Sequence, residues 1–462
     1  MSGKNSYSLY TATMIVVANM IGAGVFTSIG YQVLGLSSGY SIIWLWLLGG
    51  IISLFGAGCY AEVATRLKGS GGEYNFLSKI YGKPIGFSAG WISFTVGFAA
   101  PIAASCIALG TYFSESLGIK NLEVGSMQIS ITKTLAVLAL ILLTFLQLVH
   151  KKIGAIFQNV STTFKIGVVA ILCAVGFYYA SPAVIQASFQ GGIHWKELSS
   201  EAFFISLFFV SYAYSGWNAS AYIAGEIENP KRNIPRSLMI GTAIVTVLYI
   251  LLNLGFMLVL PFNEMAGKKE IGYIFADKIF IGIISGLIGL VISLLLVSGI
   301  SSMIITGPRV TRSMGEDHGL FKLFSKTTPS EIPQRAIIMQ SVISLIFVLT
   351  SSFQSVILFI GFTLNIFTLL TVVGLFILRI RDKKNSSTHD GYKVFGYPFV
   401  PAFFILVYLF MLGYGLIEIS PASALGFTFR QEPIIGLGFA VLGVLIYVLT
   451  KKKNQPNHTK AS

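Results

Sequence analysis

Ile21-Gly22-Ala23-Gly24-Val25-Phe26 interrupts an apolar run that starts near Leu9, and Tyr212-Ala213-Tyr214-Ser215-Gly216-Trp217-Asn218 interrupts another that starts near Ala202. Each break sits at a similar point of its own half of the chain. In hydrocarbon, unwound backbone survives only where protein or a water-filled cavity surrounds it. Two glycine-interrupted membrane helices in corresponding halves therefore point to the substrate cavity of a secondary transporter built from inverted repeats. Isolated glycines that only let neighbouring helices approach are the plainer reading of either break alone; the matched pair disfavours it.

The rest of the composition agrees with a membrane protein. The 462 residues are 54% hydrophobic and 11% charged, with a mean hydropathy of +0.77, whereas a soluble domain carries about 25% charged residues. At about 20 apolar residues per crossing, the chain divides into about twelve spans: 8–35, 40–66, 85–114, 131–149, 155–181, 200–227, 236–262, 277–310, 335–353, 355–380, 399–419 and 433–450. No run of short segments with alternating polarity suggests a β-barrel. The expected architecture is an all-α membrane protein in one domain, residues 1–462. A first five-span repeat covers about 7–181, an inverted second repeat about 200–381, and two further helices about 399–450.

A net charge of +14 does not signify nucleic-acid binding, because the charge is segregated. If the N-terminus is cytoplasmic, most of the 32 Lys and Arg fall on inside segments; Lys120, Lys133, Lys196, Lys268, Lys269, Lys278 and Arg430 fall outside. This is the positive-inside pattern. It places both termini in the cytoplasm and makes the basic tail from Lys451 an interfacial anchor to membrane lipid. Cys59, Cys106 and Cys173 all lie within spans and read as small buried residues, with no metal-ligand spacing. No cofactor or metal is expected. Ser215-Gly216 has no His or Asp partner, and no repeat resembles a channel filter, so enzyme and channel are both disfavoured.

Chemistry follows from the broken helices. A helix that restarts after Gly22 offers the free N–H groups of Ala23, Gly24 and Val25 and the positive end of its dipole to an anion such as a carboxylate. The carbonyls of Met20 and Ile21, with those of Tyr212, Ala213 and Ser215, suit an ammonium group. Gly22 and Gly216 admit the close backbone approach. Donors on one wall and acceptors on the other read the backbone of an α-amino acid. Tyr212, Tyr214 and Trp217 supply aromatic walls, and no acid near the breaks is expected to pair with a charged substrate side chain.

The motifs resemble those of the amino acid–polyamine–organocation superfamily, nearest its L-type amino acid transporter branch. The resemblance rests on Asn19-Met20-Ile21-Gly22-Ala23-Gly24-Val25-Phe26, Tyr60-Ala61-Glu62, Ser70-Gly71-Gly72-Glu73-Tyr74, Tyr81-Gly82-Lys83, the second break running into Glu226–Arg236, and Pro308-Arg309 through Gly319. It implies a LeuT-type fold of five plus five spans with discontinuous helices one and six, and alternating access at the two breaks. Three positions depart from the family pattern: Ala23 replaces a frequent Ser, Tyr212 a frequent Phe, and Ser215 a frequent Gly. The loop from about Glu115 to Ile131 lacks the cysteine that links eukaryotic L-type proteins to a heavy chain, so no covalent partner is expected.

Lys165 is the one charge in mid-span. Intramembrane ionisable groups are costly, by ~2.5–3.5 kcal/mol on insertion scales, and mark function; a snorkelling side chain on a tilted helix is the plainer reading. In sodium-independent members that the chain resembles, a Lys here occupies the cation site. That implies donation to carbonyls near Gly22 and to Ser301 or Ser302, with Ser298 also near. The expected function is sodium-independent transport of neutral L-amino acids across the plasma membrane, as an exchanger or a proton-coupled symporter. A non-transporting amino acid sensor, and a carrier of cationic amino acids or polyamines, are the alternatives.

Overall fold

The computed structural model describes residues 6–119, 122–124, 127–149, 151–280, 283–329, 332–350, 353–385, 389–419 and 427–451. The tail 452–462, with His458, and His150 lie outside them. The chain opens with α1 (Leu9–Met20) and α2 (Ala23–Gln32), one membrane crossing in two pieces. Ser8 caps α1 by accepting from the Thr11 amide at 3.3 Å, satisfying one of the donors a helix start leaves open. Then follow α3 (Gly39–Leu67), α4 (Glu73–Tyr81), and α5 (Lys83–Ile92) with α6 (Ala99–Ser116) joined by a π-turn at Ser93–Gly97. Helices α7 (Ile131–Val149) and α8 (Lys151–Tyr178) complete the first half.

Short helices α9 (Pro182–Phe189) and α10 (Trp195–Leu198) lead to the second broken crossing, α11 (Glu201–Tyr214) and α12 (Ala219–Tyr222). Helix α13 (Pro230–Val259) precedes the short α14 (Phe262–Met265) and α15 (Ile271–Ile279). The chain ends with α16 (Ile283–Asp317), α17 (Gln334–Thr350), α18 (Phe353–Lys384), α19 (Phe399–Leu416) and α20 (Gln431–Lys451).

Ten helical stretches are long and apolar enough to cross a membrane among the described residues, with α11 and α17 as shorter apolar helices. The protein is an all-α, multi-pass membrane protein. Two details differ from the sequence reading. Two short hairpins, Leu122–Val124 with Met127–Ile129 and Ile417–Ile419 with Phe427–Phe429, interrupt the connections. Residues 277–279, assigned to span eight, instead end α15, because the backbone turns extended at Phe280.

Burial sorts the helices. In its most apolar window the α1–α2 stretch is 94% buried, against 28% for α7 and 22% for α20. The broken crossing is thus the centre of the bundle, while α7 and α20 turn apolar faces such as Leu138, Leu142, Phe145, Val441 and Leu445 outward. Hydrocarbon solvates such faces, so exposed leucines here carry no penalty. Among the apolar packing the interior also holds polar side chains: Asn19, Gln158, Thr162, Lys165, Ser298, Ser301, Ser302 and Thr306 are all buried.

Candidate functional site

The first helix stops at Met20. Ile21 and Gly22 have non-helical dihedrals, and the chain turns helical again at Ala23. The unwound stretch is therefore shorter than 22–24, with Gly24 already in the first turn of α2. No side chain caps this turn, so the amides of Ala23, Gly24 and Val25 are the open donors of a helix N-terminus. The second break spans Ser215–Asn218, between α11 and α12; Tyr212 and Ala213 belong to the last turn of α11.

The breaks touch each other. A β-carbon on Gly24 would lie 2.6 Å from the Ala213 Cα, and one on Gly216 would lie 2.7 Å from the Asn19 Cβ. Gly216 also has φ +99°, in the left-handed region that glycine alone enters freely. Gly22 is different. Its φ of −118° is open to any residue, and an added β-carbon would meet nothing nearer than Ser105 Oγ at 3.9 Å. The motif glycines are thus not equivalent, although the sequence gives no means of ranking them.

Tyr249 of α13, which the sequence reading passed over, ties the breaks together. Its hydroxyl faces the Met20 carbonyl at 2.5 Å and the Ala213 carbonyl at 2.9 Å. A mid-span tyrosine carries no motif, so only the fold reveals it. Lys165 of α8 is fully buried and donates from Nζ to the Ile21 carbonyl. Ser301 and Ser302, offered as its hydroxyl partners, are used otherwise. Ser301 Oγ accepts from Gln147 at 2.7 Å, and Ser302 Oγ accepts from Asn19 Nδ2. The nearby part of α16 is Gly299, where a β-carbon would stand 3.5 Å from Nζ; the α16 backbone leaves room for the ammonium without bonding it. The Met20, Ile21, Tyr212 and Ala213 carbonyls all accept protein donors here, since the Ser215 amide and hydroxyl reach Tyr212 O at 3.0 and 2.7 Å. Each carbonyl oxygen keeps a second lone pair. Ser215 O has no such partner among the bonds described.

Beside the breaks lies a cavity with mixed polar and apolar walls. Its walls include Asn19, Ser211, Ser215, Gly216, Trp217 and Asn218 from the broken crossings, Ser93 and Gly97 from the π-turn, and Thr306, Asn365 and Thr368 from α16 and α18. A π-turn at such a wall is a frequent functional device. Of the nominated binding residues, Ser215 and Gly216 line this cavity. Met20 to Val25, Tyr212 and Ala213 do not line it; they are buried in the packing between the helices. Tyr212 is not part of the cavity wall, and Tyr214 turns away to pack tilted against Trp46 and edge-on to Tyr249. Of the three expected aromatic walls Trp217 does line the cavity, and it is joined by Phe98, Tyr222, Phe367 and Tyr408.

The expectation that no acid stands near the breaks is corrected. Glu73, at the start of α4, lines the cavity and is buried; Oε1 accepts from Tyr60 Oη at 2.8 Å and from Asn218 Nδ2 at 2.9 Å. Glu73 and Asn218 are 145 residues apart, so no local pattern could pair them.

Direct contacts also tie the two broken crossings to the rest of the bundle at both of their ends. On one side, the Gly267 amide donates to Gly30 O at 2.8 Å and Tyr112 Oη to Phe26 O at 2.9 Å. On the other, Tyr7 pairs with the strand-like segment at Glu226–Glu228, Arg309 meets Glu226 at 3.0 Å, and the Gly71 amide donates to Tyr222 O at 3.0 Å. Beside this end, Glu62 takes Arg66 and Arg379, each at 2.7 Å, together with the Val394 amide.

Two helices broken at the bundle centre, an uncapped helix start between them and a cavity lined from the broken crossings are the layout of a membrane carrier of small molecules. The amino acid permease signature matches residues 7–445. The chain belongs to that family, and its substrate class is amino acids. It is 29% identical to the serine/threonine exchanger SteT of Bacillus subtilis over 97% of this chain and 98% of that protein. It is 26% identical to the mouse b(0,+)-type amino acid transporter 1 over 88% and 82% of the two chains. The mouse large neutral amino acids transporter small subunit 2 is 25% identical, over 96% and 81%.

Proposed function

We propose that this chain is a sodium-independent transporter of neutral L-amino acids in the plasma membrane, with both termini cytoplasmic. The observation that carries the reading is the contact between the two breaks. There the Ala23–Val25 amides await a carboxylate, and Lys165 fills the place beside Ile21 where a coupling cation would bind. A zwitterion satisfies both ends of such a site, whereas an uncompensated charge on its side chain would have to be buried in the cavity at high cost. The names of the serine/threonine exchanger and the large neutral amino acid transporter support neutral substrates. Ser211, Ser215, Asn19 and Thr306 make the cavity polar enough for a short hydroxylated or aliphatic side chain.

In this reading α1–α8 and α11–α18 form two inverted five-span repeats, with α19 and α20 appended. Exchange and proton coupling both fit the cavity. The carrier acts without a covalently bound heavy chain: Cys59, Cys106 and Cys173 are buried and free, and the 115–131 loop has no cysteine. A second reading, a carrier of cationic amino acids, draws on Glu73 in the cavity wall. Uptake of a radiolabelled amino acid panel into sodium-free proteoliposomes separates them. Serine, threonine, alanine or leucine should be taken up ahead of arginine and glutamate; preference for arginine would favour the second reading.

A further inference from the structure

Glu73 has an oxygen that the substrate reading does not use. The side chain is 95% buried by exposure (5% exposed). Tyr60 Oη and Asn218 Nδ2 both donate to Oε1, and the Tyr222 hydroxyl and the Glu73 amide lie close enough to act on the carboxyl, while Oε2 is buried without a hydrogen bond of ordinary geometry. The groups that face the carboxyl are Tyr60 from α3, Asn218 from the second break and Tyr222 from α12. All are neutral. Among the described residues lining the cavity there is no Lys, Arg, His or second carboxylate.

A buried carboxylate needs a cation or several donors. With one oxygen unserved and no cation in the cavity wall, the neutral acid is the form that this pocket accommodates. Burial, the largest influence, raises the Glu73 carboxyl above its ordinary range; the Tyr222 contact, the Glu73 amide, and the Tyr60 and Asn218 contacts act in the opposite sense.

We propose that Glu73 is a proton-binding site of the transport cycle, neutral while the cavity is closed and ionised when the second break opens it to water. The proposal rests on the transport reading above and supplies its coupling ion. On closure a proton from water bonds to Oε2. On opening, that O–H bond breaks, the proton returns to water, and the carboxylate keeps the Tyr60 donor. Asn218 and Tyr222 belong to the second broken crossing, so movement of that crossing changes the donors around the carboxyl. The adjoining loop is fastened to the same crossing: a β-carbon on Gly72 would stand 2.3 Å from the Tyr222 ring. A group that binds a proton more tightly in the closed form makes low pH favour closure.

The test is infrared spectroscopy on the purified protein in lipid, paired with transport. Wild type should show a protonated-carboxyl carbonyl band at neutral pH that Glu73→Gln lacks and that weakens as the pH rises. The Gln amide oxygen still accepts from Tyr60 and Asn218, so the variant should fold; Glu73→Asp, which should shift the band, serves if it does not. In proteoliposomes, wild-type uptake should change with pH by up to about tenfold per unit on one limb, with substrate-driven movement of protons read by an internal pH dye. Uptake by Glu73→Gln should be flat over that limb and move no protons. A band that persists in Glu73→Gln, or the same pH profile in both proteins, overturns the proposal. A raised KM for amino acids with the pH profile intact also overturns it and assigns Glu73 to the substrate ammonium instead. Wild type that shows the band yet moves no amino acid overturns the transport reading, and with it the cycle that the proton would serve.

Discussion

Gly24→Ala is the substitution whose consequence the structure fixes best. Its new β-carbon would sit 2.6 Å from the Ala213 Cα, 2.8 Å from the Ala213 Cβ and 3.1 Å from the Ala213 nitrogen. Carbon atoms in contact prefer about 3.5–4.0 Å, so α2 and α11 would have to separate by about 1 Å. Two of the three obstructing atoms are backbone, and no rotamer relieves them. Overpacking of this kind costs about 1–3 kcal/mol, which reduces the population with both breaks in contact by about 5- to 150-fold. Gly22→Ala is the control: its β-carbon meets nothing closer than 3.9 Å and its dihedrals suit alanine. Initial uptake rates and thermal stability of both variants should be measured in the same lipid. Gly24→Ala should lose most of its transport and melt earlier, while Gly22→Ala retains both. Equal behaviour of the two, or wild-type transport by Gly24→Ala, would refute the claim that contact between the breaks builds the site.

Further outcomes can be checked with the same preparations. Lys165→Met removes the donor to Ile21 O, at a cost of about 1–3 kcal/mol for a buried acceptor left unpaired, and should abolish most uptake although the protein still inserts; undiminished uptake would remove the role given to the ammonium. Tyr249→Phe removes the hydroxyl shared by the Met20 and Ala213 carbonyls, of which Met20 O keeps the Gly22 amide, and should raise the KM for amino acids, with a thermal shift downward; an unchanged KM would count against Tyr249 as the tie between the breaks. Arg379→Ala deletes two hydrogen bonds to the fully buried Glu62 side chain, which keeps Arg66 and the Val394 amide. Thermal stability should fall while substrate preference is kept, and a changed substrate preference would contradict that separation.

How much of this could be read before the structure follows from the range of the interactions. Glycines among apolar residues mark a broken helix locally, so Gly22–Gly24 and Ser215–Gly216 stand out in the sequence alone. The span count follows equally from apolar length, and only α11 and α17 fall below an ordinary crossing. What each glycine does is not local: Gly24 and Ala213 meet only because α2 packs on α11, and Gly22 has room for a β-carbon. Lys165 is conspicuous as a lone charge, but which groups surround it depends on the rotation of α16, which turns Ser301 toward Gln147 and Ser302 toward Asn19. Glu73 reads as one charge in a polar connection between spans. Its entry into the cavity depends on the left-handed turn at Gly71 and Gly72, at φ +106° and +53°, and on a partner from the other half of the chain.

The most direct test of the whole assignment is exchange by the purified protein in proteoliposomes loaded with unlabelled serine and diluted into sodium-free buffer with labelled serine, threonine, alanine, leucine, arginine or glutamate. Rapid entry of neutral amino acids, unaltered by added sodium and lost in Gly24→Ala, is the expected result. No entry of any amino acid, or entry that requires sodium, would contradict a sodium-independent site built where the two broken helices meet.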